Sequence, residues 1–350
     1  MKHKIFAFVM LLAFVLSAVA LAFAAETNDA KDTRAKALIA VLPASDAALA
    51  FDARRFFNEA LPQVLAGNQT MLGEINGKVE QIKARTGIDL RQFQQVVVGA
   101  NIDQAAGGAV SVEPLILARG QYSADGLVAV AKLASKGKYR EEKIGDKIVY
   151  VFSAEEVIAQ NKGRLGNSML VKIFDKMLSG LNREMALTSY DGDTLAIGSV
   201  ARVREMFDAK TARLNGDVLA SITRRPNSVV SFAANVPSGL AQFIELDNDE
   251  LGKNLASIRL IAGTLDIAGG SAAVSMSAKT TDAVEAKNLK DLLDGFKSLG
   301  AVFLGSAKGE DKKVYARMVE AARIAQTGSE VTLDVQVPQT DINILIGKKQ

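Results

Sequence analysis

Hydrophobic and polar positions change period along this chain in a recurring order. Two-residue alternation gives way to a turn, to a second alternating stretch, and then to apolar residues three and four apart. Met185–Phe207 holds one full cycle. Met185, Leu187 and Ser189 alternate with Ala186, Thr188 and Tyr190, and Leu195 and Ile197 share a face of the return strand. Asp191-Gly192 between them predicts a tight hairpin with glycine at positive φ. Ser199 is placed to cap a helix bearing Val200, Val203, Met206 and Phe207.

The same reading extends to both sides. Ala47–Phe51 predicts a short strand, and Asp52 a cap for a helix over Arg54–Leu65 that breaks at Pro62. Met71–Arg85 carries Leu72, Ile75, Val79 and Ile82 at helical spacing, with Gly87 as its C-cap. Phe93–Ile102 and Pro114–Tyr122 read as strands, then Ser123 or Asp125 caps a helix over Gly126–Ser135, and Tyr139–Phe152 reads as a hairpin turning at Gly145-Asp146. Ala154–Leu181 is mixed, with an amphipathic helix at Met169–Leu181. Lys210–Asn227 is a helix-bearing connector. Beyond it come a strand at Ser228–Asn235, a short helix at Leu240–Ile244, and a hairpin of Ile258–Ile267 and Ala272–Ala278 around Gly269-Gly270. Thr280 or Thr281 then caps a helix, Val314–Ile324 is the last helix, and Glu330–Pro338 alternates strictly.

These elements predict an α+β protein of two modules, each an antiparallel-rich sheet with helices packed on one face. The modules span 37–210 and 228–350, joined by a connector at 211–227. Their order of elements suggests a diverged duplication. Ala47–Phe51 corresponds to Ser228–Phe232, and Pro114–Tyr122 with its capped helix and Tyr139–Phe152 corresponds to Ala272–Ala278 with its helix and Glu330–Pro338.

The N-terminus changes the inventory. Met1-Lys2-His3-Lys4 is basic, Ile5 to Ala25 is free of charge, and Ala22-Phe23-Ala24 presents small residues where a signal peptidase reads. Residues 1–24 are therefore expected to be a signal peptide and 25–36 a flexible spacer. The competing reading is an uncleaved anchor in the inner membrane. Cleavage removes two lysines and the sole histidine, leaving 40 basic against 39 acidic residues. So balanced a chain lacks the clustered charge that nucleic acid binding needs. Without His or Cys, the mature chain has no imidazole base, no thiol nucleophile, no ordinary zinc site and no disulfide. An exported chain of this kind must be stabilised by packing alone.

The remaining chemical candidates each have a structural reading beside the functional one. Asp191-Gly192-Asp193 offers two carboxylates for calcium, yet lacks the full twelve-residue loop and suits a hairpin. Asp247, Asp249 and Glu250, Glu141-Glu142 and Glu155-Glu156 fit solvated helix entries or strand faces. Ala105–Gly108 and Gly269-Gly270 lack the spacing of a phosphate loop. Lys136–Arg140 is a small basic patch with one aromatic ring, and Asn68-Gln69-Thr70 a formal glycosylation sequon. A sugar hydrolase would need carboxylates lined by aromatic rings, and this chain has no Trp and 5 Tyr. No catalytic, cofactor-binding or metal-ligating residue is assigned.

Val41–Phe51 (VLPASDAALAF), Thr86–Leu90 (TGIDL) leading to Val96–Gly99, and Tyr190–Ser199 (YDGDTLAIGS) resemble stretches of a loose class of exported bacterial proteins. There a signal peptide precedes repeated strand–helix modules and no activity is assigned. The resemblance implies the modular fold and carries over no functional residue. The expected function is a non-enzymatic binding or structural protein of the cell envelope, periplasm or extracellular space, without a cofactor. Its partner would be a protein or an apolar ligand, engaged through a sheet face or the groove between modules. The alternatives are a carboxylate-dependent hydrolase and a carrier of an apolar ligand such as a lipid. N-terminal sequencing of protein from the envelope fraction should find Ala25 first; an intact Met1 would establish the anchor instead.

Overall fold

The computed structural model describes residues 37–104, 110–153, 184–236, 256–305 and 308–347. The signal peptide, the spacer and the helices expected at Met169–Leu181 and Leu240–Ile244 lie outside them.

The centre of the fold is a five-residue strand. β1 (Ala47–Phe51) pairs antiparallel on one side with β2 (Phe93–Gln104) and on the other with β8 (Val230–Asn235). From β2 the sheet continues through β3 (Val110–Gly120), β7 (Thr194–Gly198), β6 (Glu184–Asp191), β5 (Lys147–Ser153) and β4 (Arg140–Ile144). From β8 it continues through β9 (Ile258–Ala268), β10 (Ser271–Thr280), β12 (Glu330–Pro338) and β11 (Arg323–Thr327). All these pairs are antiparallel. The α+β class is as expected, but the two sheets are one, because β1 and β8 spend their outer edges on each other.

Two five-stranded units share one order: β1-β2-β3-β7-β6 and β8-β9-β10-β12-β11. The match reaches single hydrogen bonds. Gly120 N donates to Asp193 O at the β6–β7 turn, and Thr280 N donates to Ser329 O at the β11–β12 turn. The counterpart of β12 is therefore β7, reached through the β6–β7 hairpin, and not the Tyr139–Phe152 hairpin. The latter forms β4 and β5 at the outer edge.

Helices lie on both faces, where one was expected. Alternation along β1 sends Ala48 and Ala50 one way and Leu49 and Phe51 the other, so neither face of the central strand is polar. On the first face α1 (37–41), α5 (Val200–Phe207) and α6 (Gly216–Ile222) bury Leu38, Leu42, Val203, Met206, Val218 and Ile222 against Val97, Leu115 and Leu117. On the second face α4 (Ala124–Ala134) packs Val128 against Phe152, Leu187 and Leu195. Further along that face, α7 (Ala283–Gly305) sets Ala286 and Leu289 on Val331. α8 (Glu310–Ala321) and the terminal helix α9 (Gln339–Ile346) cover Leu265, Ile267 and Val337.

The helix after β1 does not break at Pro62. α2 runs from Ala53–Arg55 through a π turn at Phe56–Ala60 into Leu61–Val64, with Leu61 N donating to Phe56 O. The wide turn shifts the register so that Pro62 falls in the first turn of the next segment, where its missing N–H costs nothing. α3 (Gln69–Thr86) follows, capped by Asn68 and ended by Gly87 at φ +75°. Asp282, not Thr280 or Thr281, caps α7 by accepting from Val284 N and Glu285 N. α8 ends at Ala321, so Ile324 belongs to β11 and not to a helix.

Gly192 is not in the left-handed region, unlike Gly145 at φ +62° and Gly328 at φ +56° in the other two-residue turns. A bulge between Ser189 and Asp191, with Asp193 N donating to Asp191 Oδ1 at 3.2 Å, turns the chain without it. A Cβ at Gly192 would meet nothing within 4 Å, whereas one at Gly198 would lie 2.5 Å from Pro114 O on the neighbouring strand. Gly192→Ala should thus change stability by less than about 0.5 kcal/mol, and Gly198→Ala should cost roughly 2 kcal/mol or more in urea denaturation.

Asp46 brackets the central strand. Its backbone oxygen accepts from Asn235 N at 2.7 Å, and its carboxylate accepts from Ile102 N at 2.9 Å, so one residue holds both neighbours of β1. Asp46→Ala should lower the unfolding free energy by about 1–2 kcal/mol, read from the denaturation midpoint, while Asp46→Asn retains part of it.

Candidate functional site

Turn-to-turn equivalence of the two units permits a position-by-position comparison of the first face. Arg119 opposite Thr194 corresponds to Lys279 opposite Glu330, each the first pair beside its hairpin turn. Two residues further on, Leu117 opposite Ala196 corresponds to Ser277 opposite Thr332, and then Leu115 opposite Gly198 to Ser275 opposite Asp334. Leu115, Leu117 and Ala196 are fully buried beneath the first unit's helices. Ser275, Ser277 and Thr332 are partly exposed.

The second unit therefore presents a hydroxyl-bearing face. One row across the strands reads Ala262, Ser277, Thr332, Ala325; the next reads Thr264, Ser275, Asp334, Arg323. At the standard strand spacing, four strands span roughly 15 Å. Among the described residues α6 buries Leu260 and Ala262 at its β9 margin, and the turn after α6 reaches over the strands beyond. Arg224 grips Glu330 with both terminal nitrogens, at 2.7 and 3.3 Å, and Arg225 Nη2 reaches Asp334 Oδ1 at 3.1 Å. Lys279 Nζ meets Asp217 Oδ2 at 2.6 Å and ties the start of α6 to the same strands. Between Arg224, Arg225, Ser221, Thr264, Ser275 and Ser277 lies a cleft of about 20 Å³, room for one water molecule. What the face offers is rows of donors and acceptors beside a small cleft. Among the described residues neither the Ser275 nor the Ser277 hydroxyl bonds to a carboxylate.

The residues singled out in the sequence fall elsewhere. Asp191 and Asp193 are both held by Arg119, at 2.9 and 3.2 Å, and Arg119 Nε also donates to Thr194 Oγ1. Partial burial pushes the Asp191 carboxyl up, but its hydrogen bonds with Thr194, Asp193 and Arg119 outweigh that and leave it below the ordinary aspartate range. The pair closes a hairpin with an internal cation, and a calcium ion would have to displace a guanidinium. Glu142 bridges Arg204 of α5 and Arg140 of β4, and both guanidiniums lower its pKa. Glu141 pairs with Lys132. Among the described residues no group of three His, Cys, Asp or Glu side chains is arranged to hold a metal ion. Asp247, Asp249 and Glu250, Glu155-Glu156 and Ala105–Gly108 lie outside the described residues.

The basic patch at Lys136–Arg140 is divided between tasks. Lys136 and Gly137 end α4 at positive φ, and Tyr139 packs on Tyr150 and Phe152 with Lys132 Nζ 4.2 Å above the Tyr150 ring. Gly269-Gly270 closes the β9–β10 turn at φ +59° and +75°. Asn68 accepts from Met71 N and donates to Ile346 O, so its side chain joins α3 to α9 and is not free for a glycan.

The hydroxyl face was not singled out in the sequence. Its signal is present, since Ser271, Ser275 and Ser277 alternate along β10 and Thr332, Asp334 and Gln336 along β12. Its meaning appears only beside the buried leucines of the other unit.

Among the described residues no helix is long and apolar enough to cross a membrane. Neither a protein-family model nor a curated protein matches the chain. Solved structures do match at a distance. Crystal forms III, I and IV of TP0453 align over 89%, 88% and 89% of this chain and 98%, 95% and 96% of their own, at 10%, 12% and 10% identity. Their TM-scores of 0.44, 0.39 and 0.41 assign no residue role and no activity here.

Proposed function

We propose that this is an exported, non-enzymatic binding protein of the cell envelope, and that the partly exposed face of β10, β12 and β11 is its docking surface. The observation that carries this reading is the exchange of buried Leu115, Leu117 and Ala196 for partly exposed Ser275, Ser277 and Thr332 at matching positions. If the units at 37–210 and 228–350 descend from one ancestor, the second has exchanged a helix-covered apolar face for a polar one. A row of small hydroxyl side chains gives a docking surface donors and acceptors without bulk. The signal-like N-terminus supports export.

Among the described residues, the carboxyls whose titration is shifted all move the wrong way for the hydrolase alternative. A catalytic acid near neutral pH needs a carboxyl with a raised pKa. Asp89, Glu142, Glu184, Asp191, Asp282 and Asp291 are all moved down, chiefly through hydrogen bonds with arginine, lysine, threonine and backbone N–H groups.

A photoreactive phenylalanine analogue at Ser277 or Thr332, in the full chain expressed in its own host, should yield a discrete crosslinked species. The same probe at Lys287, exposed on the opposite face, should not. Ser275→Arg should abolish the crosslink from Thr332 without moving the melting temperature. No product from either position, or equal labelling from Lys287, would sink the reading.

A further inference from the structure

The two ends of the sheet are built differently. β4 presents Arg140, Glu141, Glu142 and Lys143 in succession, and ion pairs to Glu184 and Arg204 fix two of them. Such a charged edge refuses another strand. β11 reads RIAQT, with one charge, no proline and no bulge, and its Arg323, Ala325 and Thr327 side chains are exposed.

Its free hydrogen-bonding groups follow from the turn. Gly328, at φ +56°, begins a two-residue turn with Ser329, which makes Thr327 and Glu330 a hydrogen-bonded pair. Alternation then directs the N–H and C=O of Ala325 and Arg323 inward, to Thr332 and Asp334. Ile324 and Gln326 aim theirs outward, and among the described residues no other bonds to those four groups.

We propose that β11 is a self-association edge, where a second copy of this chain pairs antiparallel about a two-fold axis through Ala325. In that register Ile324 faces Gln326 of the second copy and Gln326 faces its Ile324, so all four outward groups of each edge are satisfied at once. Ala325 meets Ala325 at a non-hydrogen-bonded position, about 4.5 Å apart between Cα atoms, where a small side chain is needed. Arg323 faces Thr327, so no like charges meet. Any displaced register leaves outward groups unpaired or moves the arginines toward one another. The axis also brings the two α7 helices to the same face beside the seam. There Val284, 67% exposed, follows Ala283, whose carbonyl accepts from the Gln326 side chain. The chain already joins its own two units in this manner, first strand to first strand, at β1 and β8. A five-residue seam falls in the small-interface class, below ~1,200 Å², so the dimer is concentration-dependent.

The inference stands apart from the docking surface, because it is read on purified protein with no partner present. Sedimentation of the mature chain over a concentration series should show monomer passing to dimer. Ala325→Glu, which sets two carboxylates together at the axis, should abolish the dimer and leave the melting temperature unchanged. The chain has no cysteine, so single substitutions report the register without background. Ala325→Cys should oxidise readily to a disulfide dimer, its Cα separation lying within the range such a bond requires. Arg323→Cys should not crosslink to itself, but should crosslink to Thr327→Cys when the two are mixed. A monomer at every concentration, association undiminished in Ala325→Glu, or self-crosslinking of Arg323→Cys as fast as Ala325→Cys would each overturn the proposal.

Discussion

Everything in this fold depends on the pairing of β1 with β8. A strand of five residues, AALAF, is hydrogen-bonded on both sides and joins segments almost two hundred positions apart in sequence. Loop closure over such a distance is costly and is recovered only when both sides form together. Asp46 and Asp52 close the two ends of the strand. Asp46 bonds to both neighbouring strands, while Asp52 N donates to Val229 O and its carboxylate caps α2 through Arg55 N. One short segment thus sets the register of two units and the direction of the first helix.

From that seam the two units diverge in how they treat the same face. Around β2, β3 and β7 it is apolar and buried by α1 and α5. The loop at 43–45 is drawn in by Arg202, whose fully buried guanidinium donates to Ala44 O at 3.0 Å and bonds to Ser45 Oγ and Glu205 Oε2. Around β10 and β12 the same face carries hydroxyls and ion pairs, with arginines of the α6–β8 turn laid along its margin. Antiparallel sheets tolerate this asymmetry because each needs only one face buried. The opposite face supplies that need throughout, under α4, α7, α8 and α9.

The charged side chains follow a related logic. Among the described residues, which include no histidine or cysteine, arginine and carboxylate do the polar joining between elements. Arg91 ties Asp89 to Glu80 on α3, Arg204 ties α5 to β4, and Arg317 ties α8 to Asp341 of α9. Exposed pairs of this kind contribute little stability singly, but they fix which surfaces meet.

The sequence by itself determined the local elements wherever their causes are local. Strand alternation in Glu330–Pro338, the caps at Asp52 and Ser199, the stop at Gly87 and the Met185–Phe207 cycle all depend on neighbours within a few residues, and these formed at or near the expected places. β11 escaped notice because Ile324 continues the helical spacing of α8, and only pairing with β12 draws it into a strand. The Pro62 break failed because a π turn, invisible to a spacing rule, absorbs the proline. Tertiary structure alone decided that the two sheets are one, that helices cover both faces, and which of two matching faces stays open. The physical reason is the same in each case. A serine on an alternating strand reads identically whether its face is solvated or awaits a partner, and the difference lies in what the rest of the chain lays over it.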